Sequence, residues 1–220
     1  MARALDPENQ LGGQLEVSED LRTDDDFDDG DDLEDDDAVD DEDDEDYDED
    51  DDLEDARDDD IDFVVALYRE DGVATVLPLA ADLANDLDEL AAQLQRLPGD
   101  TGAVGLVSLN REVLVAVRVR GPRHVQVLTS DIYYADVWPI VRDVADFHDL
   151  EPGEDDCPED GPAGDLAMFA SQGLSEMDLE AMCMEEDLAS DELAERIVRG
   201  IKFDESEFQR VLNDYWEGEG

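Results

Sequence analysis

The chain carries two histidines, two cysteines and 69 acidic side chains, and these are the groups that could do chemistry. His148 lies in Phe147-His148-Asp149-Leu150, close to Asp146 and Asp149, a setting where proton transfer can be imagined. The simpler reading is a solvated histidine at a helix end. Neither His148 nor His124 has a serine context that would build a nucleophilic triad. Cys157 and Cys183 stand alone, with no Cys-x-x-Cys pair and no histidine at metal-ligand spacing. Two thiols in a chain of this size fit a reducing compartment better than a disulfide framework. Carboxylates neighbour one another almost everywhere, so their pairing carries no information. Acid–base work needs carboxylates whose surroundings push their pKa values apart. The run Asp25-Asp26-Phe27-Asp28-Asp29-Gly30 fails as a calcium loop, because Phe27 occupies a position that needs an oxygen ligand. The segment Gly99 to Gly105 lacks the spacing of a dinucleotide loop, and there is no phosphate-binding loop ending in Gly-Lys-Ser/Thr. No cofactor and no metal are expected.

Charge narrows the field further. Against the 69 acids stand 14 Lys and Arg, a net charge of −55 over 220 residues. Direct binding to DNA or RNA depends on Lys and Arg neutralising phosphates, so this balance argues against it. It argues equally against docking on an anionic leaflet. A basic protein partner suits it. The first ten residues offer one Arg and no apolar core of a signal peptide, and no stretch of 18 apolar residues occurs. A cytoplasmic location is expected.

Residues 1–60 hold 33 acids and 3 bases, with 28 acids between Asp24 and Asp60 alone. So few apolar groups cannot offset the entropy of ordering, and residues 1–60 read as a disordered acidic tail. Order is expected from Ile61. Ile61 to Tyr68 is a β-rich apolar run, and Asp71-Gly72 signals a hairpin into a second strand from Val73 to Leu79. Leu83, Leu87, Leu90, Leu94 and Leu97 form one stripe of a helix spanning Asp82 to Leu97, stopped by Pro98-Gly99. Strands follow at Ala103 to Leu109, Val113 to Val119 and Val125 to Thr129, with Asn110-Arg111 as a short turn. Trp138 to Leu150 then reads as a helix with Pro139 near its start. Residues 61–150 are therefore an α+β domain, ββαβββα, built on a small antiparallel-rich sheet with packed helices.

Residues 151–164 have a Pro/Gly/acid-rich linker composition. Residues 165–217 read as a C-terminal helical subdomain, with helices over Asp165 to Gln172, Ser175 to Asp187, Ser190 to Ile201 and Glu205 to Trp216. Ser175 and Ser190 are placed to cap. Trp138, between Val137 and Pro139, is expected in the core. The candidate partner-binding residues are Asp41, Glu42, Asp43, Asp44, Glu45 and Asp46 of the tail, with Phe169, Met177 and Trp216 of the helical part. Trp is enriched at binding hot spots, and Met makes adaptable surfaces.

Gly164-Asp165-Leu166, Phe169, Gly173-Leu174, Glu176-Met177 and Leu179 are followed by Asp187-Leu188, Asp191-Glu192, Ile197 and Ile201-Lys202-Phe203. With the opening FVVALYREDG and the segment LPG…GAVGLVSL, this pattern resembles the tRNA adenosine deaminase-associated proteins of actinobacteria, over about Asp62 to Leu212. Thirteen Arg to one Lys fits the GC-rich genome the resemblance implies. The resemblance implies association with a tRNA adenosine deaminase, and not the deamination chemistry. That chemistry requires zinc held by an H-x-E…P-C-x-x-C arrangement. Here His124 is followed by Val-Gln, His148 by Asp-Leu, and Cys157 precedes its proline with no second Cys. The expected function is a non-catalytic accessory protein contacting a basic deaminase. Two rivals stand beside it: a carboxylate-dependent hydrolase or transferase in the α+β domain, and a generic acidic nucleic-acid mimic or chaperone for basic proteins.

Overall fold

The computed structural model describes residues 53–99, 101–151 and 157–218. The acidic run from Asp41 to Asp46 lies outside the described residues. Six strands form one sheet: β1 (Ile61–Glu70), β2 (Val73–Pro78), β3 (Ala103–Leu109), β4 (Val113–Val119), β5 (Val125–Thr129) and β6 (Ala163–Gly164). Their order is β2-β1-β3-β4-β5-β6, and every neighbouring pair is antiparallel. The helices are α1 (Leu87–Gln95), α2 (Pro139–Phe147), α3 (Glu176–Cys183), α4 (Ser190–Gly200) and α5 (Glu205–Gly218). The fold is α+β, with the expected order ββαβββα through α2.

Antiparallel sheets often leave one face to water, and their strands then alternate apolar with polar. Here β3 and β4 are buried at every position. Side chains alternate between faces, so runs such as Val113 to Val117 must feed two cores. One face, with Val64, Ala66, Val107, Val115 and Val117, packs against Leu90 and Leu94 of α1 and Ile140, Val141 and Val144 of α2. The other face, with Phe63, Val65, Leu67, Leu106 and Leu114, packs against Met168, Phe169, Leu179, Ile197, Phe208 and Leu212. The C-terminal helices thus form the third layer over a central sheet. Gly105 permits the close approach of α1, since a Cβ there would lie 2.9 Å from Leu94 Cδ1.

Local polar chemistry moves several element ends. The stripe that reads as one helix from Asp82 is broken into a 3-10 turn, Ala81–Ala84, followed by α1. The break falls at Asn85 and Asp86 because both side chains capture backbone. Asn85 exchanges bonds with the Ala56 N–H and C=O (2.7 and 3.0 Å), and Asp86 accepts from the Glu89 N–H at 2.8 Å. Ala56 is itself buried, so the folded part starts several residues before Ile61. Trp138 becomes the N-cap of α2, with Pro139 at its first position. Ala189, not Ser190, caps α4. The Ser190 hydroxyl turns instead to the Ser108 hydroxyl, 2.7 Å away. In the stretch with linker composition, Ala163 and Gly164 pair with Thr129 and Leu128 and extend the sheet by one short strand.

Candidate functional site

Asp62 sits at a register shift between β1 and β3 and organises one end of the sheet. Its carboxylate accepts from the Ser108 hydroxyl at 2.8 Å and from the Arg111 N–H at 2.6 Å. Asn110 and Arg111 both have positive φ, 55° and 57°, and Glu112 N–H closes the turn on Leu109 C=O at 3.0 Å. This is the twist a tight hairpin demands, reached without glycine. Three bonds hold Arg111 in that conformation: the Asp62 bond to its N–H, the Ser190 N–H donated to its C=O at 3.2 Å, and an ion pair from its guanidinium to Asp191 at 3.1 Å. Hydrogen bonding to Asp191 raises the Arg111 pKa.

Beside this turn runs a cleft of about 400 Å³ between the β3–β4 turn, the end of β5 and the α3–α4 connection. Glu112, Asp131, Glu185, Glu186 and Asp187 line it, against a single base, Arg111. Some of these acids are occupied. Asp131 accepts from the N–H groups of Tyr133 (3.0 Å) and Gly161 (2.9 Å). Glu185 is paired with Arg196 at 2.5 Å, and that hydrogen bond holds its carboxyl below the usual range. Glu186 and Asp187 are exposed and make no ion pair among the described residues. Tyr134 lines the cleft; burial and then Glu112 push its hydroxyl pKa up. Tyr133, 63% exposed, stands edge-on to it at 5.4 Å. Carboxylates beside tyrosine rings receive Arg and Lys well, through both charge and the ring faces.

The two faces of α3 differ sharply. Leu179 is buried, while Met177 (77% exposed) and Met184 at its end are presented outward with Glu176, Asp178 and Glu180. Met177 and Met184 are seven residues apart, about two helical turns, and so share one side. Trp216 is 46% exposed, and its indole N–H donates to Asp62 C=O at 2.8 Å, fastening α5 to the β1 bulge. Phe169 is fully enclosed in the core between sheet and helices and offers no surface to a partner. Trp138 is buried against the other face. His148 ends α2, its Nε2 3.2 Å from Val127 C=O and 3.7 Å from Asp165. The sequence marks Tyr133 and Tyr134 only as two aromatics following a capping Asp.

The reactive groups are subdued. Burial pushes the Cys183 thiol up to about 12, and burial also raises Cys157. Burial raises the carboxyls of Asp143 and Glu195. Those two sit on α2 and α4, which pack on opposite faces of the sheet, so they form no acid–base pair. Among the described residues no group of three or more His, Cys, Asp or Glu could hold a metal ion, and no helix is long and apolar enough to cross a membrane.

Neither a curated protein nor a solved structure matches this chain. A family model does match, over residues 62–204, from the β1 bulge through the turn after α4, leaving α5 and Trp216 outside the matched span. With well over half its length inside that match, the chain belongs to the Rv3753c-like tRNA adenosine deaminase-associated protein family.

Proposed function

We propose that this protein is a non-catalytic accessory factor that binds a tRNA adenosine deaminase. The acidic cleft beside Arg111 would take Arg and Lys side chains of the enzyme, with Met177, Met184 and Trp216 supplying apolar contact. The observation that carries this reading is the cleft itself: Glu186 and Asp187, without ion-pair partners among the described residues, line it together with Tyr134, in a family named for association with that enzyme. A tRNA-binding enzyme must present positive charge to phosphates, and an acidic surface competes for the same charge. The tail acids Asp41 to Asp46 would speed encounter without fixing geometry, because exposed charges act over only about 8 Å at physiological salt.

The test is to titrate the purified deaminase with the full chain at low and at high NaCl, and to repeat this with Glu186→Lys/Asp187→Lys. Binding is expected at low salt, weakening steeply with added salt, and at least about tenfold weaker in the double variant, since like charge at an interface costs more than a kcal/mol. Absence of a complex at low salt, or a double variant that binds as well as the parent, overturns the reading.

A further inference from the structure

The opposite end of β4 has the opposite charge. Residues 113–130 contain no acid at all, the longest such run in the sequence, and they carry Arg118, Arg120, Arg123 and His124. A cavity of about 710 Å³ opens here, lined by Gln95, Thr101, Arg118, Arg120, Ser171 and Gln172 together with glycine backbone. None of its described lining residues is Asp or Glu, in a chain where nearly one residue in three is acidic.

Arg118 is the anomaly. It follows Leu114 and Ala116 on the sheet face that packs under the C-terminal helices, where another apolar side chain would complete the core. Arg118 is instead buried, 5% exposed as a residue, and its guanidinium bonds go to neutral acceptors only, the Met168 carbonyl and the Ser171 hydroxyl at 3.3 Å. No carboxylate pairs with it among the described residues. Taking an unpaired charge out of water is strongly unfavourable. Burial, with Arg120 as a like charge nearby, lowers its pKa, yet a guanidinium stays charged at neutral pH. Two donor groups of the fork remain for a ligand. Gln172 also lines the cavity, and its side-chain oxygen is buried behind that wall with no hydrogen-bond partner.

We propose that this cavity binds the phosphate monoester of a small hydroxylated molecule, of sugar-phosphate to mononucleotide size. Arg118 and Arg120 hold the phosphate, with the Thr101 and Ser171 hydroxyls beside it. A ligand hydroxyl bonds to the Gln172 side-chain amide. The volume falls in the range of small-molecule pockets. A guanidinium this enclosed is reached by a compact anion rather than by a polymer backbone, which the surrounding negative charge repels.

The test uses the full chain and reads thermal unfolding and phosphorus NMR line width at constant ionic strength. The probes are inorganic phosphate, ribose 5-phosphate, adenosine 5′-monophosphate, ribose and a short single-stranded RNA. The phosphate-bearing small molecules are expected to raise the unfolding temperature saturably, while ribose does not. Ribose 5-phosphate is expected to bind several-fold tighter than inorganic phosphate, the margin of about one added hydrogen bond. Arg118→Met should lose at least about tenfold in affinity, as removal of a charge-assisted bidentate contact does. Arg120→Gln, at an exposed position, carries the test should Arg118→Met fold poorly, with roughly threefold or greater loss expected. Gln172→Leu should erase the advantage of ribose 5-phosphate and leave inorganic phosphate binding intact. No shift beyond that of NaCl, unaltered affinity in Arg120→Gln, or RNA binding more tightly than the mononucleotide overturns the proposal.

Discussion

Replacing Phe208 with alanine tests whether the sheet and the C-terminal helices unfold as one. Phe208 on α5 is fully buried and meets Phe63 of β1 edge-to-face, with ring centroids 5.8 Å apart at 88°. Truncation removes that contact and leaves a cavity under the sheet, at a cost of roughly 4 kcal/mol for a buried Phe→Ala change. With a urea slope of about 2 kcal/mol per molar for a unit of this size, the midpoint should fall by about 2 M. The two tryptophans report on different layers: Trp138 is buried with α2 on one face, and Trp216 ends α5 on the other. Each can be followed alone in a Trp216→Phe or Trp138→Phe background. If one core holds both layers, Phe208→Ala must shift both fluorescence transitions by the same amount, and they must coincide. A Trp138 transition that stays put while the Trp216 transition moves would refute the reasoning and make the helical layer a separate folding unit.

Asp62→Ala should destabilise by about 2–3 kcal/mol in urea unfolding, because the buried Ser108 hydroxyl and the strained Arg111 N–H both lose their carboxylate. Met177→Ser and Met184→Ser should leave the unfolding midpoint within about 0.5 kcal/mol, as exposed positions do, while weakening the complex with the deaminase in a direct binding assay. Asp143 is half-buried among Asp86, Asp88 and Asp146, and its pKa is raised, with burial the larger cause. A carboxyl raised in the native state favours folding while protonated, and that contribution is lost as pH rises through its folded pKa. Asp143→Asn, which keeps an oxygen for the Leu87 N–H, should therefore raise the melting temperature at pH 7 relative to the parent. The gap should close as pH falls below the ordinary aspartate range, and a lower melting temperature for the variant at pH 7 contradicts this. Cys183, pushed up to about 12, should resist a disulfide reagent at pH 8 in the native protein, with a thiolate fraction on the order of 1 in 10,000, and react promptly in urea.

Hydrophobic periodicity and turn chemistry were enough to locate the first five strands, the helices packed on them and the order ββαβββα, because those signals are local. Local signals failed where a side chain reached across the sequence. Nothing near Asn85 announces its bonds to Ala56, 29 residues away. Nothing near Ser190 announces Ser108, so a residue that reads as a cap became a strut between helix and strand. The two residues of β6 are too few for any periodicity and exist only because β5 offers an edge.

Composition alone set the sign of the chain's long-range field: the net charge is −55, wherever the chain places its charges. The sequence also lacks the H-x-E…P-C-x-x-C spacing with which zinc deaminases hold their metal. Which residues meet a partner was left to the tertiary structure. Burial depends on packing between distant segments, and packing drew Phe169 inward while leaving Met177 in water. The same packing put five acids at one end of β4 and an enclosed arginine at the other, roughly 20 Å away from Glu112 to Arg118 at 3.4 Å per strand residue. A separation of charge along one strand is invisible to a sum, and only the sheet that fixes the strand's two ends gives it a direction.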